Sequence, residues 1–280
     1  MNLYSRRVLT NRIGVGLSMA AMLFGLLALL WILWTLIYNG FSALNWDFFT
    51  RDTPAPGSEG GGLRNAIVGS LLIVGVTSAV STPVGILAGV YLAEFGGRSR
   101  FAAATRFVTD IMLSAPSIVV GLFVYALAVV TCGGFSGWAG SLALSLIAIP
   151  VVVRTTENML LLVPGSLREA AFAVGAPHWQ VSLKVTLPAV KAGVVTGILL
   201  AIARITGETA PLLFTALNNQ FFSIDMSQPM GNLPVVIFQF AMSPYDNWVS
   251  LAWGGALLIA LMVLTINVLA RVLFRKRSSE

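Results

Sequence analysis

Long apolar runs without any charged residue alternate with short polar segments along most of the chain. The main runs cover residues 13–46, 65–93, 111–153 and 247–270. A helix needs about 20 apolar residues to cross the hydrocarbon core of a bilayer. The first, second and fourth runs therefore each predict one transmembrane helix. The third run is long enough for two, joined by a glycine-containing turn within residues 131–140.

One more apolar segment, between Lys191 and Leu217, is interrupted by only two charges, Arg204 and Glu208. It predicts another transmembrane helix and brings the total to six. We therefore expect an all-α, polytopic integral membrane protein. Because six is an even number, both ends of the chain should lie on the same side of the membrane.

The distribution of lysine and arginine indicates which side that is. Fourteen of the seventeen basic residues fall on the side of the termini, whereas Arg51 and Arg64 fall on the other side and Arg204 lies within a span. Lysine and arginine are enriched in cytoplasmic loops of membrane proteins. We therefore expect both termini to be cytoplasmic.

The composition excludes an ordinary soluble protein. Hydrophobic residues make up 57% of the chain and charged residues 10%, whereas soluble domains carry about 25% charged residues. The net charge of +6 reflects the basic cytoplasmic segments, so no nucleic-acid partner is expected. Cys132 is the one cysteine and is expected to be a small buried residue. With one histidine and no cluster of metal ligands, the sequence predicts no metal, cofactor or catalytic site.

Arg204 and Glu208 are candidate functional residues because charges inside a membrane span are costly. Arg204 should lie about 20 Å along its helix at 1.5 Å per residue, which is near the middle of the membrane. Insertion of an arginine at that depth costs about 2.5–3.5 kcal/mol. Glu208 follows four residues later on the same predicted helix face, and Pro211 should kink the helix beside the pair. Two interpretations stay open, a substrate pathway or a buried ion pair that fixes helix packing.

A ligand that serves both side chains needs negative charge and a proton to donate. Arginine offers up to five hydrogen-bond donors in a planar fork, whereas an ionised glutamate only accepts hydrogen bonds. Hydrogen phosphate meets both requirements. Sulfate at neutral pH has no proton to offer.

The predicted cytoplasmic loop over residues 154–191 is too hydrophobic for a passive tether. It contains two short helix-forming pieces, Leu167–Val174 and the stretch after Pro177, and Gly175 permits a bend between them. Pro188 limits the second piece. An amphipathic element of this kind suits either a docking surface for another protein or a helix that lies on lipid headgroups.

This loop resembles the cytoplasmic loop of binding-protein-dependent ABC importer permeases, which has the pattern E-A-A-x3-G-x9-I-x-L-P. The matching positions are Glu169, Ala170, Ala171, Gly175, Val185, Leu187 and Pro188, with valine in place of isoleucine as the one departure. The resemblance implies a coupling helix that sits in a cleft of a separate ATPase subunit. In agreement, the sequence contains no G-x-x-x-x-G-K-[ST] phosphate loop of its own.

Three stretches make the resemblance more specific, to one type of importer permease. They are GETAPLLFTAL, LSAPSIVVGL and REAAFAVGA. From about Asn65 to the C-terminus the chain resembles the A-type permease subunits of phosphate-specific ABC importers. This resemblance implies the MetI-like fold of type I importer permeases. It implies a permease domain over residues 63–280, preceded by an N-terminal part (1–62) with the first helix and first outer loop. It also implies that Arg204 and Glu208 belong to the phosphate path.

The implied assembly has several components besides this chain. They are a second permease subunit of the C type, two cytoplasmic ATPase subunits and an external phosphate-binding protein, which together carry inorganic phosphate across the bacterial inner membrane. The chain itself would catalyse no reaction. The alternatives are an ABC permease for another oxyanion, or an ion-coupled secondary carrier that uses Glu208 as its ion site.

Two further features leave alternatives open. The G-x-x-x-G pairs Gly85/Gly89 and Gly193/Gly197 let helix backbones approach closely, either inside the bundle or between subunits. The apolar outer segment Pro234–Pro244 suits either the membrane surface or a contact with a substrate-binding protein.

Overall fold

The computed structural model describes residues 3–97 and 99–275, and this part of the chain forms helices and no strands. The expected all-α architecture is thus confirmed. In chain order the helices are α1 (Leu3–Phe41), α2 (Trp46–Thr50), α3 (Arg64–Phe95), α4 (Arg100–Ser114), α5 (Ser117–Cys132), α6 (Gly137–Leu161), α7 (Gly165–Ala173), α8 (His178–Ala189), α9 (Lys191–Thr206), α10 (Ala210–Leu213), α11 (Leu233–Ala241) and α12 (Asp246–Arg275). Arg98, Lys276 and Arg277, which contribute to the predicted charge asymmetry, lie outside the described residues.

Four helices, α1, α3, α6 and α12, are each long and apolar enough to cross a membrane. The other two predicted spans are bent pairs: the chain bends by 107° between α4 and α5 and by 73° between α8 and α9. Six spans result when each bent pair counts as one. At the first bend Ala115 is extended, with ψ of 135°, because a following proline, here Pro116, disfavours the helical conformation.

The central helix of the bundle is α6. Most residues of α6 are buried, whereas α1 is exposed along nearly its whole length. Both glycine pairs pack against it: a Cβ on Gly85 would lie 2.6 Å from Cβ of Val152, and one on Gly89 would lie 2.6 Å from Cβ of Thr156. The second pair has its own neighbours on α6, Met159 for Gly193 and Thr155 for Gly197. The glycine pairs therefore serve close packing inside the bundle.

The outer helix α11 packs between α3 and α12, so one side of the segment over residues 234–244 is buried in the bundle. It belongs to a core cluster with α2, α3 and α12 that consists of Phe48, Leu63, Ala66, Leu233, Val236, Phe240, Leu251 and Ala252. Asn232 caps α11, since its Oδ1 accepts a hydrogen bond of 3.2 Å from the N–H of Val235. Most apolar residues of α11 pack inside the bundle, whereas Phe238 and Met242, which follows the helix, stay exposed.

The turn between α5 and α6 lies where the glycine-rich stretch predicts it. Gly133 follows the last residue of α5 with φ of 78°, a left-handed conformation that glycine adopts without a steric penalty. Cys132, expected to be buried, is exposed at this turn. The prediction was wrong because residues 130–134 are all exposed, so no other described element covers this end of α5.

Candidate functional site

The predicted fifth span breaks next to its two charged residues. Helix α9 ends at Thr206, Gly207 takes the cap position, and the chain becomes helical again in the short α10. Glu208 therefore lies in the break and not on a continuous helix face with Arg204. The expected kink is a full interruption, and Pro211 occupies the first turn of α10, where its missing N–H costs nothing.

Arg204 and Glu208 are neighbours without a hydrogen bond. Nε of Arg204 lies 3.8 Å from Oε1 of Glu208, beyond hydrogen-bond distance. The Arg204 side chain is 48% exposed and that of Glu208 17% exposed. Among the described residues this glutamate is the acidic partner nearest the guanidinium. Most of the donors of Arg204 are therefore not used by the protein.

Arg204 lies on an open face of α9. Leu200, Arg204 and Gly207 are exposed at spacings of four and three residues, which places them on one side of the helix. This side continues into a groove of ≈ 480 Å³ between α6 and α9. The groove is lined by Val151, Thr155, Met159, Ala192, Gly193, Thr196, Gly197 and Leu200. The arginine is thus placed where the chain can meet another molecule.

Helix α5 supports the break from its other side. A Cβ on Gly121 would lie 2.6 Å from Cα of Pro211, so the two backbones are in direct contact. Thr206, the last residue of α9, is buried, and its hydroxyl donates to the carbonyl of Ile202 at 2.8 Å. Its hydroxyl is therefore already satisfied, and the charged pair remains the main polar feature at the break.

The E-A-A motif forms α7 and the turn that follows it. Gly175 has φ of 81°, its N–H donates to the carbonyl of Phe172 at 2.9 Å, and the N–H of Ala176 donates to Ala171 at 3.2 Å. These two bonds are the Schellman arrangement that ends a helix at a left-handed glycine. The bend predicted at Gly175 is present for this reason.

The remaining motif residues surround this turn. Pro177 caps α8, and Pro188 lies one residue before its end, ahead of the bend to α9. Glu169, Ala170, Gly175 and Pro188 are exposed and Ala171 is half-buried. Exposed apolar side chains, Val174 and Trp179 among them, extend the same surface. The structure thus presents α7 and α8 as an accessible amphipathic element, while α6 continues through residues 154–161 of the expected loop.

Arg168, which the sequence pattern does not mark as a functional residue, holds this element to the bundle. Its Nη2 donates to Oε1 of Glu94 at 2.9 Å and to the carbonyl of Leu160 at 2.8 Å, and its Nη1 donates to the carbonyl of Val163 at 2.6 Å. The partner of Arg168 is thus Glu94, 74 residues away, and not the adjacent Glu169. The one sequence signal was that Glu94 ends a charge-free run.

A second group of charges, also missed, joins α4 to α6. Glu157 is 2% exposed and accepts from Nε of Arg106 at 2.6 Å and from Nη1 of Arg154 at 3.0 Å. Arg154 also binds Asp110, and Arg106 donates to the carbonyl of Leu92 at 2.7 Å. The signal for this group was the three-residue spacing of Arg154 and Glu157, which places both on one side of a helix.

Comparison with known proteins identifies the relatives of this chain. The family model of the binding-protein-dependent transport system inner membrane component matches residues 81–278. The phosphate transport system permease protein PstA of Yersinia pestis is 58% identical over 95% of this chain and 90% of its own length. The PstA of Haemophilus influenzae is 57% identical over 95% and 94%.

Solved structures agree on the fold. A bacterial alginate ABC transporter in complex with an alginate-bound periplasmic protein aligns with a TM-score of 0.69 at 14% identity, over 98% of both chains. The inward-facing MetNI methionine ABC transporter aligns with a TM-score of 0.59 at 21% identity, over 76% of this chain and 95% of its own. The expected fold and the resemblance to phosphate-specific permeases are both confirmed. The chain therefore belongs to the family of binding-protein-dependent transport system inner membrane components, as a multi-pass membrane protein.

Proposed function

We propose that this chain is a permease subunit of an ATP-driven importer of inorganic phosphate and forms half of its translocation pathway. The other half is a second permease subunit of the C type. Two cytoplasmic ATPase subunits and an external phosphate-binding protein complete the complex, and both termini of this chain are cytoplasmic. The chain itself has no catalytic role and binds no cofactor.

The observation that carries this proposal is the exposed guanidinium of Arg204 on the open side of α9. A buried ion pair that fixes packing has its charges enclosed and hydrogen-bonded. Arg204 is instead 48% exposed and 3.8 Å from Glu208. A charge that is exposed within a membrane span is typical of a substrate path. The names of the relatives supply the substrate, since those 57–58% identical are phosphate transport permeases.

The chemistry of the pair favours hydrogen phosphate over other oxyanions. Arg204 offers donors to phosphate oxygens in a fork geometry. Glu208, only 17% exposed, offers an acceptor to the proton that hydrogen phosphate carries and that sulfate lacks. The break at Gly207 lets the two side chains approach one ligand from different helix ends. This pair would admit phosphate and disfavour an anion without a proton.

The ATPase subunits would act on this chain through α7. This helix carries Glu169 on an exposed surface, and the chain's own sequence has no phosphate loop for ATP. Closure of the two ATPase subunits would move α7 and α8, and the helices would tilt around the charged break. Access to Arg204 and Glu208 would then alternate between the two sides of the membrane.

Uptake of radiolabelled phosphate into vesicles that contain the purified complex tests the proposal. We expect uptake that requires ATP and the phosphate-binding protein, and that a tenfold excess of sulfate does not reduce. Uptake driven by an ion gradient without ATP would establish the secondary carrier instead. Equal competition by sulfate would establish a permease for oxyanions in general.

Glu169→Lys tests the coupling surface in the same vesicles. Reversal of an exposed charge at the contact should weaken association with the ATPase subunits, measured by co-purification, and should reduce uptake in proportion. Glu59→Lys, an equally exposed glutamate in the outer loop, is the matched control. Unchanged association and uptake in Glu169→Lys would contradict docking through α7.

A further inference from the structure

The last turn of α3, Tyr91–Phe95, is π-helical and is bonded to both α7 and α4. Glu94 pairs with Arg168 of α7, and the carbonyl of Leu92 accepts from Arg106 of α4. Single π-helical turns within α-helices occur frequently at functional sites. The inserted residue of such a turn changes the direction in which the following side chains point. Here it lets consecutive residues face different neighbours.

The contact between Glu94 and Arg168 is the most enclosed of these. The Glu94 side chain is 4% exposed and that of Arg168 is 22% exposed. Nε of Arg168 lies 3.2 Å from Oε2 of Glu94 and Nη2 lies 2.9 Å from Oε1, so the guanidinium faces the carboxylate in a two-pronged geometry. Such a fork fixes orientation as well as distance.

The same guanidinium also caps α6. It donates to the carbonyl of Leu160 in the last turn of this helix and to that of Val163 just after it, where carbonyls lack partners within the helix. A positive charge at a helix C-terminus is also favoured by the helix dipole. One side chain of α7 is thus bonded to α3 and to α6, the two helices with the most extensive mutual packing in the bundle.

An aromatic contact supports the same connection. His178 lies at the start of α8. The centroid of its ring is 4.7 Å from the ring centroid of Phe95 and 5.4 Å from that of Phe172. Phe95 belongs to the π-helical turn and Phe172 to α7. The turn of α3 therefore contacts both helices of the exposed element, with adjacent residues Glu94 and Phe95.

We propose that the Glu94–Arg168 pair is the link that carries movement of α7 to the membrane-spanning helices, and that Arg168 is a positioning residue for coupling. This inference rests on the proposed function. Because Arg168 is bonded to both α3 and α6, α7 cannot tilt without moving the ends of these two helices or breaking an enclosed ion pair. Glu169, its neighbour, faces outward and serves docking, so the two adjacent charges have separate roles.

The test uses the complete complex in vesicles and measures phosphate uptake and ATP hydrolysis together. The variants are Arg168→Gln, Glu94→Gln and the exchange Arg168→Glu/Glu94→Arg. Arg100→Gln is the control, because Arg100 is exposed at the start of α4 and forms no ion pair within residues 3–97 and 99–275. Arg168→Lys keeps the positive charge but not the two-pronged hydrogen bonding of the guanidinium. It replaces Arg168→Gln in the test if that variant does not assemble.

We expect each neutral variant to lower phosphate uptake per ATP hydrolysed at least fivefold while the ATPase subunits stay bound. The exchange should recover part of this ratio, and Arg168→Lys should fall between. An unchanged ratio in Arg168→Gln and Glu94→Gln would overturn the proposal. Loss of the ATPase subunits in step with uptake would also overturn it, since the pair would then serve docking alone.

A distance measurement separates this inference from the proposed function. Spin labels on Leu87→Cys in α3 and Ser166→Cys in the first turn of α7, both exposed positions, are introduced with Cys132→Ser. We expect one narrow distance distribution with and without ATP, and a broader one in Arg168→Gln. Movement of α7 relative to α3 upon ATP binding with the pair intact would refute the link. Absence of phosphate uptake by the unsubstituted complex would refute only the proposed function.

Discussion

The carboxylate of Glu157 on α6 accepts a hydrogen bond of 2.6 Å from Nε of Arg106 on α4. The second oxygen of Glu157 accepts from Arg154 at 3.0 Å, so two arginines share one buried carboxylate, and Asp110 supplies the second negative charge of the group. These bonds join α4 to the central helix. In the chain, α4 is preceded by a short loop and followed by a bend. The position of α4 therefore depends on a residue that lies two helices further along the chain.

Glu157→Gln should strongly destabilise the protein. The substitution leaves the guanidinium of Arg106 facing a nearly enclosed site without its carboxylate partner, and leaves Arg154 with only the exposed Asp110. Removal of one partner of a buried ion pair typically costs about 3–5 kcal/mol. Unfolding in mixed micelles with increasing denaturing detergent, followed by circular dichroism, measures this loss.

Asp110→Asn is the matched control for Glu157→Gln. Asp110 binds the same Arg154, but its side chain is 55% exposed, and exposed ion pairs contribute little. We expect its unfolding midpoint to stay near that of the unsubstituted chain. Equal losses for the two substitutions would contradict the central position of Glu157 in this group.

Gly89→Ala should destabilise the packing of α3 on α6. The new Cβ would lie 2.6 Å from Cβ of Thr156 and 2.9 Å from the carbonyl oxygen of Val153. Overpacking of this kind costs about 1–3 kcal/mol. Thermal unfolding in detergent provides the measurement. Gly75→Ala, on the same helix with open space around it, should be neutral or stabilise by up to about 1 kcal/mol through helix propensity. The reverse order would show that α3 does not contact α6 as described.

Gly175→Ala should loosen the end of α7. Alanine at a φ of 81° is strained by about 1–2 kcal/mol, the cost of a left-handed conformation for a residue with a Cβ. Amide hydrogen exchange of residues 172–176 should accelerate, because the two bonds of the Schellman turn open more often. Gly165→Ala, at the start of the same helix with open space around it, is the control. Unaltered exchange in Gly175→Ala would mean that the turn does not hold this helix end.

Arg204→Gln should reduce ATP-dependent phosphate uptake at least tenfold without loss of the folded complex. Its side chain is half-exposed and lacks a hydrogen bond to Glu208, so little native structure depends on it. Arg204→Lys should retain more uptake than Arg204→Gln, since the charge remains while the fork is lost. Uptake and size-exclusion profiles of the same preparations give both readouts. Full uptake by Arg204→Gln would show that Arg204 serves packing.

The sequence alone determines the class of the protein and the position of its long apolar runs. In a bilayer backbone N–H and C=O groups must bond within helices, so the long apolar runs had to be helical, although the structure interrupts two of them at Ala115 and Gly207. The bend at Gly175 within the motif Glu169–Pro188 was also predictable from the sequence, because the Schellman turn there depends only on neighbours within five residues. The break after Arg204 was foreseen as a kink because proline acts locally.

Tertiary structure alone decided which charges meet. Arg168 pairs with Glu94 across 74 residues, and Arg106 pairs with Glu157 across 51. In each case a nearer charge of opposite sign exists in the sequence. Partners of this kind depend on which helices pack side by side, and that arrangement follows from the fit of glycines against α6. Burial then selects among them, since an enclosed charge must have a partner, whereas Arg204 stays exposed on the face that packing leaves open.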